Sequence, residues 1–163
     1  MTTGRNSATV LGLGNILLQD EGFGVHFIRW FSSRNAGNEE LRIIDGGTLG
    51  YGLLDVITSC RNLIVIDCIK IEDEPGSLYR FTQEDMDLYM PKPTSAHEVE
   101  FPHVLHQAEL MGQCPNVIFL CIVPEKYGDM GLEMTPAMME KFPEVERLLF
   151  EELSRLNVVM TGK

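Results

Sequence analysis

Apolar runs of strand length alternate along this chain with stretches of helical period. Residues 8–13 (ATVLGL) read as a strand that enters a turn flanked by Gly12 and Gly14, and residues 25–31 continue as an amphipathic helix. Residues 41–45 (LRIID) form a short strand closed by Gly46 and Gly47, followed by a helical stretch over 50–59. The run 62–67 (NLIVID) is apolar without interruption, as in strands covered on both faces. After the Pro75-Gly76 turn, residues 78–82 (LYRFT) alternate like an edge strand, and the acidic stretch 83–94, with two prolines, reads as a loop. Ser95 and Glu98 have capping-box spacing, which predicts a helix over 96–111 that stops at Gly112. Residues 117–123 form another buried strand. Thr135-Pro136 opens the last helical region, with a fresh start at Pro143 and one apolar face made by Val145, Leu148, Leu149, Leu153 and Leu156.

This alternation predicts an α/β fold: a three-layer sandwich with a mostly parallel, twisted five-stranded sheet and helices on both faces. At 163 residues and 44% hydrophobic content the chain suits a single domain over 1–163, with residues 1–7 expected to be disordered. In such sheets ligands gather beyond the carboxyl ends of the strands. Glu21 follows the first strand, Asp45 ends the second, Asp67 ends the third and Glu125 follows the fifth, so acids are expected at one edge. His97, at a helix start in the long loop leaving the same sheet, can be brought there.

Charge and cysteine usage narrow the setting. A net charge of −11 argues against nucleic acid and anionic membrane as partners, because both repel such a surface. Cys60, Cys68, Cys114 and Cys121 form no C-x-x-C pair and suit buried free thiols in a reducing compartment. With no apolar signal core near the N-terminus and no membrane-length apolar run, the expected location is cytoplasmic.

Each candidate has a plainer reading beside the chemical one. Asp20 and Glu21 precede a helix, where a carboxylate caps unpaired N–H groups, but that accounts for one acid better than for two. Asp67 and Asp45 are both placed to accept backbone hydrogen bonds in the turns after them. A position in the first helical turn disfavours the imidazolium of His97 and so favours a neutral, metal-competent ring. HEVEF at 97–101 misses the zinc-protease pattern H-E-x-x-H because Phe101 takes the second ligand position. His26, among apolar neighbours, reads as structural. The glycine turn invites a nucleotide-binding reading, which is weakened by Leu17 where G-x-G-x-x-G needs glycine.

The segments GLGNILLQDEGFGV at 12–25, IIDGGTLG at 43–50, LIVIDCI at 63–69, SAHE at 95–98 and IVPE at 122–125 together resemble the [NiFe]-hydrogenase maturation endopeptidases. The resemblance spans nearly the whole chain, in order. It implies an enzyme, a metal-dependent peptide hydrolase grouped with aspartic-type peptidases. Such an enzyme removes the C-terminal extension of the hydrogenase large-subunit precursor after nickel insertion. It further implies that Glu21, Asp67 and His97 are metal ligands for nickel supplied by the precursor, for which zinc or cadmium can substitute in the isolated protein. Asp67, Glu21 and Asp45 are the catalytic candidates, Asp45 in a supporting role, and a monomer is expected. Glu100 and His103 stand where family members have small or apolar residues. The rival readings are a non-catalytic nickel-binding assembly chaperone and a nucleotide-binding domain.

Overall fold

The computed structural model describes residues 5–89 and 96–162, with the side chains of all of these except 87, 96–100, 161 and 162. In chain order the elements are β1 (Asn6–Leu13), α1 (Phe23–Arg34), β2 (Asn35–Ala36), β3 (Leu41–Gly47), α2 (Leu54–Thr58), β4 (Cys60–Cys68), β5 (Leu78–Thr82), α3 (Met86–Tyr89), α4 (Ala96–Leu110), β6 (Asn116–Ile122), α5 (Pro136–Met139), α6 (Phe142–Arg155) and β7 (Thr161–Gly162). The main sheet has the order β3-β1-β4-β6-β5; β5 alone is antiparallel to its neighbour and lies at an edge, as its alternating sequence indicates.

The sheet is covered on both faces, so successive residues of each strand enter different cores. Val10, Ile64, Ile66, Leu120 and Ile122 face α1 and α6, where Phe23, Phe27, Phe31, Phe142, Leu149 and Leu153 are buried. Their neighbours Leu11, Leu63, Val65, Phe119 and Cys121 face α2 and α4, with Leu53, Ile57, Val104, Leu105 and Ala108. This explains why β4 is an unbroken apolar run from Leu63 to Ile66: neither side of it meets water. The edge strand is tied to the helical layer by Arg80, which forks onto the buried Glu152 of α6, while Arg155 reaches the same carboxylate at 2.7 Å.

Several boundaries differ from expectation for local reasons. β1 takes in Asn6 and Ser7, because Asn6 pairs with Cys60 and its side chain bonds Ala8 O and Thr9 Oγ1; residues 1–4 lie outside the described residues. The helical stretch after β3 is a 3-10 turn, Gly50–Leu53, running into α2. Within the expected loop over 83–94, a second 3-10 turn, Gln83–Asp85, and α3 form, and residues 90–95, including Ser95 of the capping box, lie outside the described residues. β3 continues to Gly47, so Asp45 stands two positions short of the strand end where it was expected. The small antiparallel sheet of β2 and β7 has no counterpart in the sequence reading.

Candidate active site

The carboxyl edge of the parallel strands is where chain ends and helix starts meet. β1 leaves the sheet at Leu13, and Gly14, at φ +145°, turns the chain so that a Cβ there would lie 2.1 Å from the carbonyl oxygen of Glu21. The Asn15 N–H donates to that same oxygen at 3.1 Å. A 3-10 turn, Gln19–Gly22, carries Asp20 and Glu21 back over the sheet and touches β4 before α1 begins. Gly24 then permits α1 to lie directly on the strands, since a Cβ there would be 2.1 Å from Ile66 O and 2.2 Å from Leu13 O. These glycines serve close backbone packing, and the space that a nucleotide phosphate needs beside them is filled by protein. Gly14→Ala combines a disfavoured φ with a clash against Glu21 O. It is expected to cost about 2–3 kcal/mol in urea unfolding.

The two neighbouring acids have different tasks. Asp20 is fully buried and accepts from Glu125 N at 3.1 Å, Lys126 N at 2.8 Å, Thr135 N at 2.8 Å and Thr135 Oγ1 at 2.9 Å. Backbone bonds from Gln19 N to Gly131 O and from Asp20 N to Lys126 O complete the seam. Asp20 therefore holds the loop over 124–135 against the edge. Glu21 is only 1% exposed, and Lys70 Nζ contacts its Oε1 as an ion pair; the oxygen has no well-aligned hydrogen bond. Lys70 Nζ also stands 5.3 Å above the centre of the Tyr127 ring.

Asp67 is the penultimate residue of β4, 6% exposed, with Cys68 N–H donating to its Oδ1 at 2.8 Å. Across the ladder it pairs with Cys121, whose thiol burial, and after it the Asp67 charge, pushes well above the ordinary range. Burial likewise raises Cys60 and Cys114, so none of these three thiols is a thiolate nucleophile.

His97 lies in the first turn of α4, and its side chain is outside the described residues. The end of α4 lies beside Gln83, Phe101 meets Phe119 edge-on, and the helix touches the Gly50–Leu53 turn that follows β3. Its axis therefore carries residue 97 toward the carboxyl edge. Among the described residues no group of three His, Cys, Asp or Glu side chains has metal-binding geometry.

Asp45 stands apart from this pair. It faces solvent and bonds Arg29 Nε of α1 at 3.2 Å, in register with Gly12 of β1. Glu125 is exposed and contributes its backbone N–H to Asp20. The His26 Nε2 is buried without a hydrogen bond, and burial, followed by the Arg29 charge, lowers its pKa. A cavity of about 690 Å³ lined by Thr82, Met86, His106 and Asn116 opens at the amino end of β6, the wrong end of the sheet for this chemistry. Lys70 and Tyr127 were not singled out from the sequence, and Thr135 was read only as the opening of a helix. Their contacts join residues far apart along the chain, and no local spacing marks them.

Two buried carboxylates at the carboxyl edge of the parallel strands suit a cation or an activated water. The family model described as hydrogenase maturation protease matches residues 25–152. The chain is 32% identical over 160 residues to the hydrogenase expression/formation protein HupD of Bradyrhizobium diazoefficiens, covering 97% of this chain and 83% of that protein. It is 31% identical over 145 residues to the hydrogenase 2 maturation protease of Escherichia coli K12, covering 86% and 87% of the two chains. The structure superimposes on the hydrogenase maturating endopeptidase HybD from E. coli with a TM-score of 0.89 and 25% identity, over 96% of this chain and 98% of that one. The chain belongs to the hydrogenase maturation protease family.

Proposed function

We propose that this endopeptidase removes the C-terminal extension of a [NiFe]-hydrogenase large-subunit precursor, and that it acts on the precursor only after nickel has been inserted. The observation that carries this reading is the Glu21 carboxylate, buried at the carboxyl edge close to the end of the strand that bears Asp67, with one oxygen lacking an aligned hydrogen bond. A buried carboxylate needs a cation beside it, and the Lys70 ammonium supplies that charge until a metal ion takes its place.

In this reading nickel arrives as part of the substrate, held by precursor cysteines. Glu21, Asp67 and His97 complete its coordination with two oxygens and one nitrogen, a donor set that borderline divalent ions accept. Zinc or cadmium substitutes in the isolated protein for the same reason. Docking of the ion brings the scissile peptide bond beside a water that Asp67 or Glu21 deprotonates. Asp45, held by Arg29 of α1 on the exposed side of β3, keeps only a supporting role in the site. The protein works as a cytoplasmic monomer, a setting that suits its four free cysteines. Among the described residues no helix is long and apolar enough to cross a membrane.

The test is to mix the protein with nickel-loaded and nickel-free precursor and follow loss of the extension by mass spectrometry. Cleavage of the loaded form alone is the expected result. Equal cleavage of both rejects the metal requirement, and nickel-dependent binding without shortening supports a chaperone instead.

A further inference from the structure

The geometry points to Lys70 as a specificity-determining residue: a built-in counter-ion of Glu21 that a divalent cation must displace before the carboxylate can act as a ligand. This inference rests on the reading of Glu21 as a metal ligand, and deepens it.

Lys70 follows the end of β4 by two residues, and its side chain is mostly buried at 18% exposure, against 1% for that of Glu21. An ammonium and a carboxylate sequestered together are held by a Coulomb attraction that water screens poorly. Removing Lys70 leaves the more deeply buried Glu21 carboxylate uncompensated, whereas the ammonium keeps partial solvent access and the Tyr127 ring. Glu21 therefore carries no uncompensated charge in the resting enzyme, and a dication that takes its oxygen must first move a monocation.

The contact is built to be exchanged. The ammonium meets Glu21 Oε1 without hydrogen-bond alignment, so directional bonding adds little to the pair. The face of Tyr127, 5.3 Å from Nζ, offers the displaced cation a second resting place. That ring stands on the loop that Asp20 fastens, so the alternative position is held in place by the same seam that positions Glu21.

The consequence is a threshold. Free divalent ions at low concentration compete poorly with a tethered ammonium. An ion fixed in a docked precursor arrives at a high effective concentration and displaces it. Lys70 thus lets the site distinguish a precursor-borne cation from one in solution.

Calorimetric titration of the purified protein with cadmium chloride tests this directly, using wild type, Lys70→Met, Lys70→Arg and Glu21→Gln. Methionine keeps the length of the stem without the charge, and Lys70→Met is expected to bind cadmium about tenfold more tightly than wild type, equivalent to ~1.4 kcal/mol. Lys70→Arg retains the counter-ion and is expected to bind no more tightly than wild type, which separates charge from shape. Circular dichroism establishes that each variant is folded. In the processing assay, free zinc is expected to inhibit Lys70→Met at lower concentrations than it inhibits wild type.

Equal cadmium affinity in wild type and Lys70→Met, or no binding in a folded Lys70→Met protein, overturns the role of Lys70. If Glu21→Gln binds cadmium as tightly as wild type, the ligand role of Glu21 fails instead.

Discussion

Glu21→Gln and Asp67→Asn are each expected to remain folded and to lose about a thousandfold or more of the processing rate, the scale on which a removed base or charge acts at a reacting centre. Both substitutions keep the shape of the side chain and remove its charge, so packing around the edge is preserved. In Asp67→Asn the amide oxygen still accepts from Cys68 N–H, the bond that holds the side chain at the end of β4. In Glu21→Gln the partner Lys70 loses its counter-charge, but its side chain already reaches solvent and has the Tyr127 ring beside it. The fold is therefore spared while the donor set is damaged. Thermal unfolding monitored by circular dichroism checks the first half, and the mass of the precursor after incubation checks the second. His97→Ala is expected to behave in the same way. Asp45→Asn is the contrasting variant: its exposed pair with Arg29 is worth at most about 1 kcal/mol, and most of the processing activity is expected to survive. Full activity of Glu21→Gln removes that residue from the site.

The architecture was legible because both signals behind it are local. An uninterrupted apolar strand such as β4 has no solvent face to alternate with, and the LYRFT pattern of β5 marks an edge. The rule that ligands gather at the carboxyl ends of parallel strands directs attention to Glu21, Asp45, Asp67 and Glu125 without reference to any relative, and the family resemblance then narrows these to Glu21 and Asp67. Strand order was not legible, since each parallel crossover is compatible with several neighbours. β3 illustrates the limit on boundaries: Gly46 and Gly47 look like a strand stop, yet Gly47 still pairs with Leu13 across the irregularity after Gly12. The division of labour between Asp20 and Glu21 was hidden for a different reason. Adjacent acids before a helix look equivalent in sequence, and what separates them is contact with residues 105 to 115 positions away. Lys70 was hidden likewise, for its role depends on a carboxylate supplied by another element.

Asp20 supplies the second large effect, this time on the fold. Asp20→Ala is expected to lower the free energy of unfolding by about 3–5 kcal/mol, read from urea titration, because it removes an acceptor from four donors at once. Three of those donors are backbone N–H groups, of Glu125, Lys126 and Thr135, and the fourth is the Thr135 hydroxyl. The carboxylate is fully buried, so water does not replace it without opening the seam. Asp20→Asn is expected to cost less, about 2 kcal/mol, since the amide oxygen can serve Glu125 and Lys126 while its NH₂ is left facing the Thr135 N–H, donor against donor. Glu21→Gln, one residue further on, is expected to show the opposite pattern, with stability kept and processing lost. A destabilised Asp20→Ala protein also frees the loop carrying Tyr127, which lies over Lys70 beside Glu21, so its residual folded fraction is expected to process precursor more slowly than wild type. Amide hydrogen exchange separates the two consequences: faster exchange confined to 124–135 marks local opening, and uniformly faster exchange marks global loss of stability. Wild-type stability in Asp20→Ala would remove the seam from the account of how this edge is built.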